Sequence, residues 1–221
     1  MKRILHRPRA CLLLLPILLS VGSGCDLARL YAVLADAPRE EVKPKFEGLA
    51  GKSLLIVVTC PEQIDFNYPM LRRDVADYIR QDIDRNANKP KVKKKVAFVE
   101  GARLRSYQEG NFYWAEMEPG RIGKALDADF VLWVDISEFN TRQEDAPDIF
   151  LGRLKADARL FDVASTERFA PVWSGSITAR FPDGDKIGNN DLSDMRVRDE
   201  TYRRFAERLG RNFYTWEREI R

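Results

Sequence analysis

Two stretches set the terms on which this chain can fold. Lys52–Thr59 (KSLLIVVT) is a continuous apolar run of strand length, β-branched towards its end and closed by Cys60-Pro61. Phe130–Phe139 (FVLWVDISEF) is the strongest strand pattern. Its first half is apolar at every position, and Asp135 and Glu138 make its second half one-sided. A strand that is apolar on both sides needs cover on both faces of its sheet, so helices must pack around these two runs.

The rest of the chain supplies the cover. Leu71, Val75, Tyr78, Ile79 and Ile83 recur at helical spacing and predict an amphipathic helix over Pro69–Arg85, with Asn67 as its cap and Pro69 in its first turn. Val92–Val99 reads as a short, lysine-rich strand, Gly101–Gly110 as irregular, and Pro119 as the start of a small helix carrying Ile122, Ala125 and Leu126. Phe150–Asp162 and Trp173–Phe181 alternate apolar with polar residues, which predicts an antiparallel hairpin with one wet face. A polar loop, Pro182–Asp194, leads to a last helix with Tyr202, Phe205, Ala206, Leu209 and Phe213 on one side, ending at about Trp216. The sum is a single α/β domain: a mixed β-sheet of about five strands with three packed helices, crossovers early and a meander late.

Ahead of that domain, Lys2, Arg3, Arg7 and Arg9 precede an apolar run from Cys11 to Leu19, followed by Gly22, Ser23, Gly24 and Cys25. A basic region, an apolar region and small residues make a secretory signal peptide. The run is about half the roughly 20 residues that span a bilayer. With a cysteine directly after the small residues, and Gly22 where an aliphatic residue is usual, the segment resembles a bacterial lipoprotein signal. That resemblance implies lipid on Cys25, palmitate among the acyl chains, and a protein tethered at the inner or outer membrane and facing the periplasm. The chain then divides into a signal peptide (1–24), a lipidated N-terminus and tether (25–45) and the α/β domain (46–221). Within the tether, Asp26–Asp36 has the spacing of a short amphipathic helix, and Pro38 and Pro44 flank a charged stretch.

Composition narrows the chemistry. The formal charge of +3 falls to −1 without the four signal-peptide cations, so a basic patch for nucleic acid loses its support. The one histidine is His6, and the three cysteines are Cys11, Cys25 and Cys60. Past the signal peptide no Ser–His–Asp or Cys–His nucleophile, imidazole zinc site or internal disulfide can be built, and no cofactor is expected.

The segments FEGLAGKSLLIVV, IGKALDADFVLWVDI and LGRLKADARLFDV…APVWSGSI, with a closing helix, are similar to small envelope lipoproteins of the TolB amino-terminal-like fold. That group includes curli-secretion-type lipoproteins and penicillin-binding-protein activators, and the pattern also resembles uncharacterised planctomycete-type lipoproteins. The likeness runs over about Phe46–Trp216. It implies a non-enzymatic module for envelope assembly, secretion or transport, whose partners are the membrane, through Cys25, an unidentified envelope protein, and a second copy of itself.

Six features invite a sharper reading. Gly48-Leu-Ala-Gly51-Lys52-Ser53 lacks the first glycine of a phosphate loop and precedes a strand, so it reads as a turn. Asp183, Asp185, Gly188 and Asp191 take positions 1, 3, 6 and 9 of a calcium loop, but Ile187 holds a ligand position and Asp194 replaces the bidentate Glu. Lys89–Lys95 reads as a strand edge blunted by lysines, with anionic headgroups as the alternative. Asp135, Glu138 and Asp157 are the carboxylates to test for a cell-wall polymer hydrolase, which needs a pair roughly 5–9 Å apart across a groove. Cys60 reads as a small buried residue rather than a reactive thiol. The exposed strand face of Arg153–Arg159, with the aromatic loop Phe112–Trp114, is the expected partner surface. A lipid or small-molecule carrier is a further alternative, and would need a deep apolar cavity.

Overall fold

The computed structural model describes residues 39–143, 145–165, 170–183 and 192–220. Residues 1–38, which include Cys25, the expected signal peptide and most of the expected tether, lie outside them, as does the central part of the 183–194 loop. The chain divides into two compact units. In the smaller, which contributes few described residues, Arg218 Nη2 donates to Glu40 Oε2 at 2.6 Å. The larger, Glu41–Glu217, holds the core.

The strands are β1 (Arg39–Val42), β2 (Ser53–Thr59), β3 (Ala97–Phe98), β4 (Phe130–Gln143), β5 (Ala146–Asp162), β6 (Trp173–Phe181) and β7 (Trp216–Glu219). The helices are α1 (Glu62–Asn67), α2 (Leu71–Ala87), α3 (Gly101–Gly110), α4 (Pro119–Ala125) and α5 (Asp194–Gly210), with a 3₁₀ turn at Trp114–Glu116. β1 and β7 form a two-stranded sheet of their own; the main sheet runs β3-β2-β4-β5-β6. β2 is parallel to β3 and β4, whereas β4, β5 and β6 are antiparallel in sequence. This is the expected five-stranded mixed sheet.

The two apolar runs are neighbours, with Leu54 to Thr59 in register with Phe130 to Asp135. On one face Leu54, Ile56, Val58, Leu132, Val134, Leu154, Ala156 and Leu160 meet α2 (Leu71, Val75, Ile79, Ile83) and α5 (Tyr202, Phe205, Leu209). On the other, Leu55, Val57, Val131, Trp133 and Phe161 meet Leu104 of α3 and Ile122 and Leu126 around α4. Burying one such side chain contributes about 2 kcal/mol, so these two layers are the main source of stability. α5 crosses β5 closely at Gly152, where a Cβ would stand 1.9 Å from Thr201 Oγ1.

The segment LeuAspAlaAsp at 126–129 fastens the two central strands at their origin. Asp127 takes a left-handed φ of 57° at the end of α4. Asp129 Oδ2 then accepts the Ser53 N–H at 2.8 Å and the Ser53 hydroxyl at 2.9 Å, and the Asp129 N–H donates back to Ser53 Oγ at 2.8 Å. These bonds hold the Asp129 carboxyl below the usual carboxylate range, the backbone donor contributing most.

Four expectations change. Gly101–Gly110 is helical, docked by buried Leu104 and by Tyr107, whose hydroxyl lies 3.3 Å from Met117 Sδ. Asn67 ends α1 rather than capping α2, and two short-loop helices join the three expected ones. The strand expected over Val92–Val99 shrinks to Ala97–Phe98, because Asn88 already occupies Val96: its Nδ2 donates to Val96 O and its Oδ1 accepts from Val96 N. The last helix stops at Gly210, since Asn212 Nδ2 donates to the carbonyls of Arg208 and Leu209 and the chain turns there into β7.

Candidate functional site: an open sheet face and the cleft at its margin

The face of the sheet that carries α3 and α4 is covered over β2 and the start of β4, and beyond that its side chains are polar. Strand register fixes which of them stand side by side. Trp133, Arg159 and Ser174 form one row, Asp135, Asp157 and Ser176 the next, and Glu138, Lys155 and Thr178 the third. Lys155, Asp157, Arg159, Ser174 and Ser176 are exposed. Alternating polar residues on β5 and β6 produce this face, because successive strand side chains point to opposite sides.

A cleft of about 400 Å³ lies where the cover ends. Thr59, Trp133, Asp135, Arg159 and Phe161 line it from the sheet, Ala115, Glu116 and Met117 from the connection before α4, and Pro119 from the start of α4. Thr59 stands at the carboxyl end of β2, and its hydroxyl donates to Asp135 Oδ1 at 3.0 Å. The chain leaves β2 for β3 on one side and returns to β4 on the other. The cleft therefore sits at a topological switch point, where open α/β sheets place ligands. The Arg159 guanidinium lies 5.9 Å from the Phe161 ring centre.

The two halves of the expected partner surface meet here. Trp114 packs on Trp133 with ring centres 6.1 Å apart. That contact anchors the aromatic loop at the edge of the strand face and leaves Phe112 and Tyr113 exposed at 89 % and 67 %. Thr59, Glu116 and Met117 were not legible as cleft residues: their place depends on how two connections cross the sheet.

The remaining candidates fall elsewhere. Asp135 and Asp157 stand directly opposite each other in the β4–β5 register, while Glu138 is drawn off to Arg153 Nε at 3.2 Å, an ion pair too poorly aligned to count as a hydrogen bond. Asp135 lines the cleft but Asp157 does not, so the groove does not run between the pair, and like charges directly opposite each other repel. Cys60 is half-buried, and burial, reinforced by Asp65, pushes its thiol up to about 11, away from the reactive thiolate. Gly51, at φ 78°, completes the turn before β2, with Lys52 N donating to Leu49 O. Lys89 and Lys91–Lys95 are exposed, but on a loop rather than a strand edge. Asp185, Gly188 and Asp191 of the calcium-like loop lie outside the described residues. Among those residues no group of three or more His, Cys, Asp or Glu could hold a metal ion, and no helix is long and apolar enough to cross a membrane.

The fold is a mixed α/β sandwich, and solved structures with a similar arrangement include bacterial lipoproteins. Lipoprotein GNA1162 from Neisseria meningitidis is 18 % identical, with a TM-score of 0.41, over 65 % of this chain and 89 % of its own. A PelC dodecamer from Paraburkholderia phytofirmans is 12 % identical, TM-score 0.43, over 80 % and 98 %. The LpoB C-terminal domain from Salmonella enterica is 14 % identical, TM-score 0.36, over 58 % and 82 %. At such identities and TM-scores these likenesses speak for no partner, assembly or activity of this chain. No protein-family model matches the chain, and no curated protein does.

Proposed function

We propose that this protein is a lipid-anchored, non-enzymatic module that binds another protein of the bacterial envelope. Residues 1–24 act as a signal peptide, Cys25 carries the lipid, residues 25–45 are the tether, and residues 46–221 form the binding domain in the periplasm. The observation that carries the binding role is the juxtaposition of an uncovered, mixed-charge strand face (Lys155, Asp157, Arg159) with the exposed aromatics Phe112 and Tyr113. Exposed aromatics beside an arginine are residue types enriched in protein-recognition patches, with Lys155 and Asp157 suited to a polar rim.

Anchoring is tested by intact mass of the membrane fraction: Cys25 is expected to carry acyl chains, and Cys25→Ser to release the protein from membranes. Binding is tested with photo-crosslinkers placed in intact cells at Lys155, Phe112 and, as a control, Lys91. The same envelope protein should be captured from the first two positions and not from the third. An unmodified Cys25 thiol would remove the anchor, and capture from Lys91 alone would move the partner off this face.

A further inference from the structure

The other border of the sheet carries a vacant strand position. β3 pairs with β2 only at Ser53 and Leu54, after which the chain leaves the sheet to begin α3 at Gly101. Lys52 O and Leu54 O accept from Ala97 N and Val99 N. By the alternation of a strand, the backbone groups of Ile56 and Val58 point to that same side. Among the described residues no hydrogen bond reaches Ile56 O, Val58 N or Val58 O. Ile56 and Val58 are buried residues, so the groove beside them is where these groups can meet a partner or water.

These groups face a groove of about 280 Å³ floored by Ile56 and Val58. Met70, Arg73 and Ala76 of the α2 side wall it, and Leu104 and Arg105 of α3 stand opposite. The free edge of β2, Leu55–Thr59, is long enough for a strand of about four residues. Met70, Ala76 and Leu104 offer an apolar seat. At the rim, Arg72 is committed to Asp65 through two bonds of 2.8 Å, and Asp77 lies near Arg73 and Arg80 at 4.0 and 3.8 Å. Arg105 is exposed, and with Arg72 balanced by Asp65 and Arg73 beside Asp77 it leaves the groove one positive charge in excess.

We infer that this groove takes an extended, acidic peptide segment of a partner protein as a further strand beside β2. The backbone of the segment would satisfy Ile56 and Val58, one apolar side chain would enter between Met70 and Leu104, and a carboxylate would meet Arg105 and Arg73. The inference deepens the envelope-binding reading and rests on it for the source of the segment, but the site is distinct from the open sheet face.

The test uses the full chain with Cys25→Ser, its amides followed by NMR. The probes are acetylated hexapeptides of alternating Val and Glu, the same with Lys for Glu, and a version of the acidic peptide N-methylated on alternate residues. The Val58 amide is expected to shift and exchange more slowly with the acidic peptide. The Lys peptide should bind about tenfold more weakly, the N-methylated one should not protect Val58, and Arg105→Glu should remove the acidic preference. Ala76→Phe, which fills the groove, should abolish the response; if that variant does not fold, Arg105→Glu still decides. An unperturbed Val58 amide at millimolar peptide overturns the proposal. So does protection of Val58 without peptide, whether from residues 1–38 or, if it rises with protein concentration, from a second copy. Loss of crosslinking at Lys155 and Phe112 with Val58 still responding would strike the open-face reading alone.

Discussion

Tyr214 Oη donates to Asp82 Oδ2 at 2.8 Å, tying the chain after α5 to α2 across 132 residues of sequence. Asn86 Nδ2 donates to the other carboxylate oxygen at 3.1 Å, and Gly210 leaves the room: a Cβ there would stand 2.0 Å from Asp82 Oδ2. Burial pushes the Asp82 carboxyl from 3.8 up to about 6, with Glu207 adding to the rise and the Tyr214 hydroxyl opposing it.

The sign of the pH dependence follows. The folded chain holds the Asp82 proton more tightly than the unfolded chain, so this group's contribution is complete below pH 3.8 and is lost as pH rises through about 6. The full shift would amount to about 3 kcal/mol, and partial exposure reduces it to about 1 kcal/mol. Asp82→Asn should therefore be stabilising by about 1 kcal/mol at pH 7.5, with the gain vanishing near pH 4. Urea unfolding at a series of pH values measures it. Tyr214→Phe should move the transition to higher pH, since it removes the donor that favours the ionised form.

Gly152→Ala should destabilise the fold by about 3 kcal/mol or prevent it, because Thr201 Oγ1 and Val197 Cγ1 stand 1.9 and 2.9 Å from the new methyl group. Adding Thr201→Ala should restore part of the loss. A simple loss of strand propensity would give no such rescue.

Asp127→Gly should be neutral to stabilising by up to about 1 kcal/mol, since glycine takes φ 57° without steric cost and the Arg103–Asp127 ion pair it removes is exposed. Asp127→Ala should be destabilising. Thermal unfolding of the two variants side by side distinguishes the backbone effect from the ion pair.

Cys60 should alkylate slowly. With its thiol raised from 9.0 to about 11, iodoacetamide at pH 8 should react about tenfold more slowly than with a free cysteine, the lower thiolate fraction being partly offset by the greater nucleophilicity of a more basic thiolate, in a chain with Cys11 and Cys25 replaced by Ser. Arg72→Ala should slow it further, because Arg72 is the cation that lowers this thiol. A rate equal to that of free cysteine would mean an open Cys60.

The parts of the fold legible in sequence were those whose side-chain period is enforced by burial on a large scale. β2 and β4 could be nothing but covered strands, and β5 and β6 announced their wet face because Lys155, Asp157 and Arg159 alternate with Ala156, Ala158 and Leu160. α3 was hidden because a single buried residue, Leu104, with Tyr107 beside it, fixes the helix; such a helix owes its stability to tertiary contact rather than local pattern. The end of α5 was hidden for a similar reason, since Phe213 keeps the helical period after Asn212 has already ended the helix. Of the candidate site, Arg159 and the aromatic loop could be named separately. Their meeting with Thr59 depends on crossovers that no local spacing records.

The two borders of the main sheet differ in a way that limits how copies could join. Beside β6, the Arg208 and Arg204 guanidinium groups donate to the carbonyls of Thr178 and Arg180, and Lys45 and Asn212 flank the earlier part of the strand. Side chains thus guard that margin, while the margin at β2 stays open past Leu54. A ribbon of indefinite length needs two joinable margins on every copy, one to give and one to receive. With that margin covered among the described residues, strand pairing through the main sheet ends at two molecules, and that sheet offers a longer ribbon no second site of growth.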